Sequence, residues 1–251
     1  MILKDNERIN KVNENISLIE REDSLTFGTD AYLLSAYLPK KSKATGVELG
    51  LGSGIISLLA LTKGKCEKIY GFEVQEDIWD IAKRNSDLNG LESKLTVINK
   101  DIRNAQITDT DGEVDFVFTN PPYMKADSGK LNGVNQKSIS RHEICGSIED
   151  FCACAKRLLK HGGNFYAVYR PDRMIDLLSA MRNNGIEPKR LTFIHPNTAT
   201  PPSLLLVLGK LGGKSGLIID KPVYIYRDGT QRYTEAFNKI YENGSFSEDG
   251  L

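Results

Sequence analysis

Several things are scarce in this sequence, and each shortage closes a class of function. Of 251 residues only four are cysteine, Cys66, Cys145, Cys152 and Cys154. Cys152-x-Cys154 has the spacing of neither a zinc knuckle nor a redox pair. Small buried side chains on a helix are the expectation instead, and no metal site is expected. No apolar run approaches the ~18 residues that span a bilayer. The polar start, MILKDNERINKVNEN, is unlike a signal peptide. The expected protein is cytoplasmic, with no membrane partner. An excess of one charge is missing too, since 33 basic residues meet 33 acidic ones. Contact with nucleic acid therefore needs a local patch, not a global field. No internal repeat is visible. What remains is an ordinary globular composition, 40% hydrophobic and 26% charged. It suits one large α/β domain, with or without a small appendage.

Strand and helix patterns alternate along the chain. Residues 1–15 read as a polar arm and Ile16–Ile19 as a strand. A helix capped by Thr29 or Asp30 runs to Leu38, and Pro39 stops it. Ala44–Leu49 is a short strand leading into Gly50-Leu51-Gly52-Ser53-Gly54 and an apolar helix from Ile55. Strand, glycine loop and helix together open a βαβ nucleotide fold. Further strands are expected at Lys68–Glu73, Leu95–Ile98, Asp115–Thr119, Asn164–Tyr169, Lys189–Ile194 and Ser203–Leu208. Helices are expected at Glu76–Asn89, from Ser147 to Leu159 with His161-Gly162-Gly163 as the stop, and from Pro171 to Asn183. Gly212-Gly213 suits a hairpin turn. The tail, with Tyr224, Tyr226, Arg232 and Tyr233, alternates weakly and turns polar. Residues 124–141 lack periodicity and carry Lys125, Lys130, Lys137 and Arg141 against the single acid Asp127. A loop of that length suits a lid or a binding loop.

The most informative stretch is Asn120-Pro121-Pro122-Tyr123, directly after an apolar strand. Proline fixes its own φ and lacks an N–H, and it holds the preceding residue extended. The result is a rigid corner with oxygen acceptors and a flat ring, suited to a planar nitrogen substrate. The plain alternative is a loop that only ends a strand. The Gly50-x-Gly52-x-Gly54 loop is weak evidence alone. A dinucleotide fingerprint wants its third glycine one place later, where Ile55 stands. Glu48 would repel a pyrophosphate and attract a cationic amino-acid tail, which favours S-adenosylmethionine over NAD; the alternative is a solvated acid at a strand end. Glu73 follows Gly54 at the spacing where an acid meets a ribose.

In order, Glu48-Leu49-Gly50-Leu51-Gly52-Ser53-Gly54, Glu73, Asp101 and Asn120-Pro121-Pro122-Tyr123 resemble the motif set of class I S-adenosylmethionine-dependent methyltransferases acting on amino groups. Phe27-Gly28-Thr29-Asp30-Ala31, Arg141-His142-Glu143 and Tyr233-Thr234-Glu235 extend the resemblance, over about residues 15–240, to the bacterial tRNA1(Val) adenine-N6-methyltransferase family. It implies a Rossmann-like α/β fold: a mostly parallel seven-stranded sheet, helices on both faces and a C-terminal antiparallel strand. It also implies an N-terminal extension, 1–40, packed on a methyltransferase domain, 41–251.

The roles implied are these. Gly50, Gly52 and Gly54 pass under the methionine part of S-adenosylmethionine, and Glu73 holds its ribose. Asp101 contacts its adenine, a helix N-cap being the alternative. Thr29 and Asp30 help close the pocket. Asn120 and Pro121 accept the two N–H bonds of the target amine, and Tyr123 stacks on the base beside Pro122. The basic charge of the loop itself leads to the expectation that Lys125, Lys130 and Lys137 meet RNA phosphates; Arg141 is expected either to join them or to be a solvated surface arginine, and His142 and His195 are expected to be structural. The implied substrate is N6 of the adenine next to the anticodon in a tRNA. Glutamine-N5 of a protein and guanine-N2 of ribosomal RNA use similar corners and stay open. The glutamine enzymes carry a helical domain before the glycine loop, where fewer than 50 residues stand here. A non-catalytic RNA-binding protein with this fold is the alternative of another class.

Overall fold

The structure is a computed structural model that describes residues 3–21, 28–122 and 146–246. Tyr123, Lys125, Lys130, Lys137, Arg141 and His142, with the expected binding loop, lie outside the described residues.

One sheet organises the molecule. Its seven long strands are β3 (Thr45–Leu49), β4 (Lys68–Glu73), β5 (Leu95–Asn99), β6 (Val114–Thr119), β7 (Leu159–Tyr169), β8 (Ile186–His195) and β9 (Leu204–Leu211). The two-residue strands β10 (Ile218–Ile219) and β11 (Val223–Tyr224) both pair parallel to β8, which brings the sheet to nine. The order through the long strands is β8-β9-β7-β6-β3-β4-β5. Only β9 runs against its neighbours, wedged between β7 and β8. The mostly parallel α/β expectation thus holds, with two short strands added.

Parallel strands need both faces covered, and β6 shows how the sequence does it. Phe116 and Phe118 enter one core cluster and Val117 the other, as the two-residue period of a strand requires. Helices α1 (Thr29–Tyr37), α2 (Ile55–Thr62) and α6 (Glu235–Asn243) cover the first face. Helices α4 (Ile148–Leu158) and α5 (Met174–Asn183) cover the second. The remaining helix, α3 (Glu76–Leu88), lies against β5 and β4. Cys66, Cys152 and Cys154 are buried free thiols.

Four expectations need correction. The polar arm is not irregular: β1 (Glu7–Lys11) pairs antiparallel with β2 (Ser17–Arg21). The weak tail holds α6, whose Thr234 cap accepts the Phe237 N–H and whose Phe237 and Ile240 are its buried face. The His161-Gly162-Gly163 stop lies inside β7, because Leu159 pairs with Val114 and Asn164 with Phe116. The residues between them form an irregularity in a continuous strand. Gly212-Gly213 turns no hairpin, since the chain passes beyond β8 to form β10 on its far side.

Candidate active site

The carboxyl ends of β3, β4 and β6 converge where the strand order turns back on itself, the place where open α/β sheets bind ligands. A cleft of about 460 Å³ opens there. Its floor is the glycine loop. Gly50, Gly52 and Gly54 have φ of 73°, 58° and 85°, which side chains rarely tolerate. A Cβ on Gly52 would meet nothing within 4 Å, so the missing side chain leaves room against the backbone in the cleft wall.

Among the described residues, four acids line this cleft, Glu20, Asp30, Glu48 and Glu73, against one arginine, Arg21. Glu73, at the end of β4, accepts the Gly52 N–H at 3.0 Å with one oxygen and the Gln75 N–H at 2.9 Å with the other. A carboxylate has about four acceptor positions, so two hydroxyls can still be held. Glu48 is buried at 1% exposure. One of its oxygens accepts from the Ser57 hydroxyl and, at 3.2 Å, from the Ser57 N–H. Ser57 is in the first turn of α2, whose N-cap Gly54 offers no side chain. Glu48 therefore caps α2 from across the loop. Burial pushes its carboxyl up to about 8, against the two Ser57 hydrogen bonds and with help from Glu73. Glu48 therefore keeps its proton at neutral pH, and the other acids are left to repel an anionic pyrophosphate and draw in a ligand with cationic centres. The residues present fit S-adenosylmethionine.

Asn120 stands at the mouth, one residue past β6. Its Nδ2 donates to Asp30 Oδ2 at 2.8 Å. An ionised carboxylate only accepts, so this contact commits the NH2 prong of the amide. Asp30 is in the first turn of α1 and not its cap, which is Gly28. A Cβ on Gly28 would stand 2.6 Å from Asp30 Oδ1; the glycine makes room for the carboxylate. Pro121 is buried beside Asn120 and Pro122 is half-buried.

Glu48, Gly50, Gly52, Glu73, Asp30 and Asn120 are thus brought together. Gly54 and Thr29 flank the cleft without lining it. Asp101 caps a short 3-10 turn, and both its oxygens are engaged by Arg103, which holds its carboxyl below the usual range. His195 Nδ1 is 2.9 Å from the Thr200 carbonyl oxygen, within the C-terminal half of the sheet. Three participants escaped the sequence reading. Glu20 arrives on β2 and carries no motif. Gln75 follows Glu73 closely enough to have been suspected. Asn85 of α3 accepts the Ile19 N–H at 2.6 Å, and its Nδ2 donates to the carbonyls of Ile19 at 3.3 Å and Ser53 at 3.0 Å. It ties hairpin, helix and glycine loop together.

Residues 22–183 match the family described as the methyltransferase small domain. Two curated relatives carry the name tRNA1(Val) (adenine(37)-N6)-methyltransferase. That of Phocaeicola vulgatus is 26% identical over 88% of this chain and 92% of its own. That of Dyadobacter fermentans is 22% identical over 85% and 89%. A solved structure described as a predicted O-methyltransferase, from Agrobacterium tumefaciens, superposes with a TM-score of 0.71 at 19% identity. The match covers 87% of this chain and 98% of that one, and it bears on the fold. The sheet order, the acid-lined cleft above a glycine loop and the family match agree: this chain belongs to the methyltransferase small domain family and is a methyltransferase dependent on S-adenosylmethionine.

Proposed function

We propose that the chain methylates an exocyclic amine, N6 of an adenine in a tRNA, the substrate for which the curated relatives are named. The observation that carries this reading is the Asp30–Asn120 contact at the cleft mouth. With the NH2 prong of the amide held by Asp30, an incoming amine meets the oxygen prong. The carbonyl of Pro121 is the second acceptor at the same corner.

When bound, S-adenosylmethionine supplies a methyl group made electrophilic by its sulfonium. Glu73 would hold the ribose hydroxyls, the glycine loop would seat the amino-acid part, and the acids would favour the cationic centres. An adenine amine is a poor nucleophile because its lone pair is delocalised into the ring. The Asn120 oxygen and the Pro121 carbonyl accept its two N–H bonds and favour a pyramidal nitrogen. Positive charge grows on that nitrogen during transfer, so both acceptors bind the transition state more tightly than the ground state. No base is needed beforehand, because the proton becomes acidic only after methylation. Tyr123 supplies a stacking face, worth ~1–3 kcal/mol per base; Asp101, which does not line the cleft and is held by Arg103, is left out of the cofactor site.

The test is incubation with labelled S-adenosylmethionine and tRNA lacking the modification, followed by nucleoside analysis. N6-methyladenosine is expected. N2-methylguanosine, or label only in protein, would replace the substrate; no transfer to any acceptor would sink the reading. Asn120→Ala should lower kcat ~10²–10³-fold with cofactor affinity retained, and Asn120→Asp should keep partial activity. A folded Asn120→Ala working at the wild-type rate would refute the mechanism.

A further inference from the structure

Residues 226–233 build a small hairpin that the methyl-transfer chemistry does not use. Tyr226 and Tyr233 bridge antiparallel, their rings 5.4 Å apart and 22° from parallel. The Arg227 N–H donates to the Arg232 carbonyl at 2.9 Å, and the Thr230 N–H closes the turn onto the Arg227 carbonyl at 3.1 Å. The hairpin is held firmly. The Tyr226 N–H donates to the Pro196 carbonyl at 2.8 Å, and the Thr198 N–H donates to Asp228 at 3.0 Å. The ring line continues from Tyr233 to Tyr241 at 6.5 Å and from Tyr241 to Tyr32 of α1 at 4.7 Å. Tyr233 and Tyr241 are exposed, and so are Arg227 and Arg232. Among the described residues neither guanidinium forms an ion pair. The nearby carboxylates are engaged: Asp228 by Thr198 and Glu235 by Lys239 at 3.0 Å.

The position matters as much as the composition. β11 pairs parallel to the carboxyl end of β8, and β8 runs parallel to β6 because β9 reverses between β7 and β8. The hairpin therefore stands on the sheet edge that carries Asn120. The hairpin follows β11, which lies one strand beyond β8 and so four strands from β6, a lateral distance of ~19 Å at the usual strand spacing. A few nucleotides span it. Packing of α6 on α1 accounts for the buried tyrosine surfaces but not for two exposed arginines beside exposed rings. That pairing suits phosphates next to an unpaired base.

We propose that the Tyr226–Tyr233 hairpin is an RNA grip outside the catalytic cleft. Arg227 and Arg232 take backbone phosphates, and Tyr233 with Tyr241 receives an unpaired base flanking the target. This rests on the RNA reading above. The test measures binding of an unmodified tRNA transcript as salt is varied, for wild type, R227A/R232A, Y233F and Y233A. Cofactor affinity and melting are measured alongside. R227A/R232A should bind RNA at least tenfold more weakly, with a salt slope shallower by about 1.5, two phosphate contacts' worth. Its KM for RNA should rise while kcat stays near wild type. Y233F should bind normally and Y233A roughly tenfold more weakly. If Y233A melts early, the arginine pair decides. Unchanged affinity and slope in R227A/R232A, with a wild type that binds and methylates RNA, overturns the grip alone. A wild type that neither binds nor methylates RNA overturns both.

Discussion

Glu48 shows how one side chain can serve fold and site together. It was legible as an acid before a glycine loop, but its tie to Ser57 was not, because capping from across a loop leaves no local spacing to read. It also makes stability depend on pH. Its carboxyl titrates near 8 in the folded chain and in the ordinary glutamate range near 4.3 when unfolded. Between those values the folded state holds a proton that the unfolded state has lost. Stability should therefore fall as pH rises through that window and level off above about 8. Glu48→Gln should flatten the profile; denaturant titrations giving both proteins the same loss of stability between pH 5 and 8 would contradict this. Asp30 gives a sharper probe of the mouth. Asp30→Ala should release the Asn120 amide and lower kcat about tenfold or more, a larger effect than the loss of one cleft acid has on cofactor affinity. Gly28→Ala should do the same more weakly by crowding the Asp30 carboxylate. Single-turnover rates beside calorimetric titrations check both, and a drop in affinity without a drop in rate would make Asp30 a cofactor residue instead.

Among elements, the join between α3 and β2 is the least obvious. Asn85 of α3 and Asn89, its C-cap, sit one turn apart. Asn89 accepts the Ser17 N–H at 3.0 Å and donates to the Ser17 carbonyl at 2.8 Å, as Asn85 does for Ile19. The helix thus behaves toward alternate residues of β2 as a neighbouring strand would. Each buried polar group left unpaired costs ~1–3 kcal/mol. Asn85→Ala should therefore lower the melting temperature and, through Ser53, weaken the cofactor; loss of stability without loss of affinity would separate the two effects. The long parallel strands and their helices were legible because fully buried strands and capped helices carry strong periodic signals. Ser147 is such a cap, accepting the Asp150 N–H. β1 was not legible, because a strand of polar and charged residues with Ile9 alone apolar has no apolar alternation. α6 was, in retrospect: Thr234, Phe237, Ile240 and Gly244 mark cap, buried face and end. The sheet's outer order was not, since pairing partners far apart in sequence leave no local pattern.

At the scale of the whole molecule, zero net charge hides an uneven distribution. Acids gather in the cofactor cleft, while exposed arginines stand farther along the same sheet edge. Ligand binding should be visible globally: cofactor at a hundred times its Kd should stabilise the fold by about 2.7 kcal/mol, raising Tm by several degrees. In Glu73→Ala, affinity should fall ten- to a hundredfold, from loss of a ~1.5–3 kcal/mol charged hydrogen bond, and about half of that rise or more should vanish. An undiminished rise in scanning calorimetry would remove Glu73 from the ribose.

The reversal at β9 has a consequence for how the chain is made. Synthesis proceeds from the amino end, and β3, β4, β5 and β6 can pair as they emerge, so the cofactor half assembles early. β7 joins β6 next. β8 then leaves the ribosome with no neighbour, because its partners β9, β10 and β11 are all encoded after it. Until β9 arrives, the outer edge of β7 and the whole of β8 display open backbone, a template for association with other chains. Chains truncated between residues 195 and 204 and released from the ribosome should therefore be the species that chaperones hold and that aggregate, whereas chains truncated past residue 211 should not.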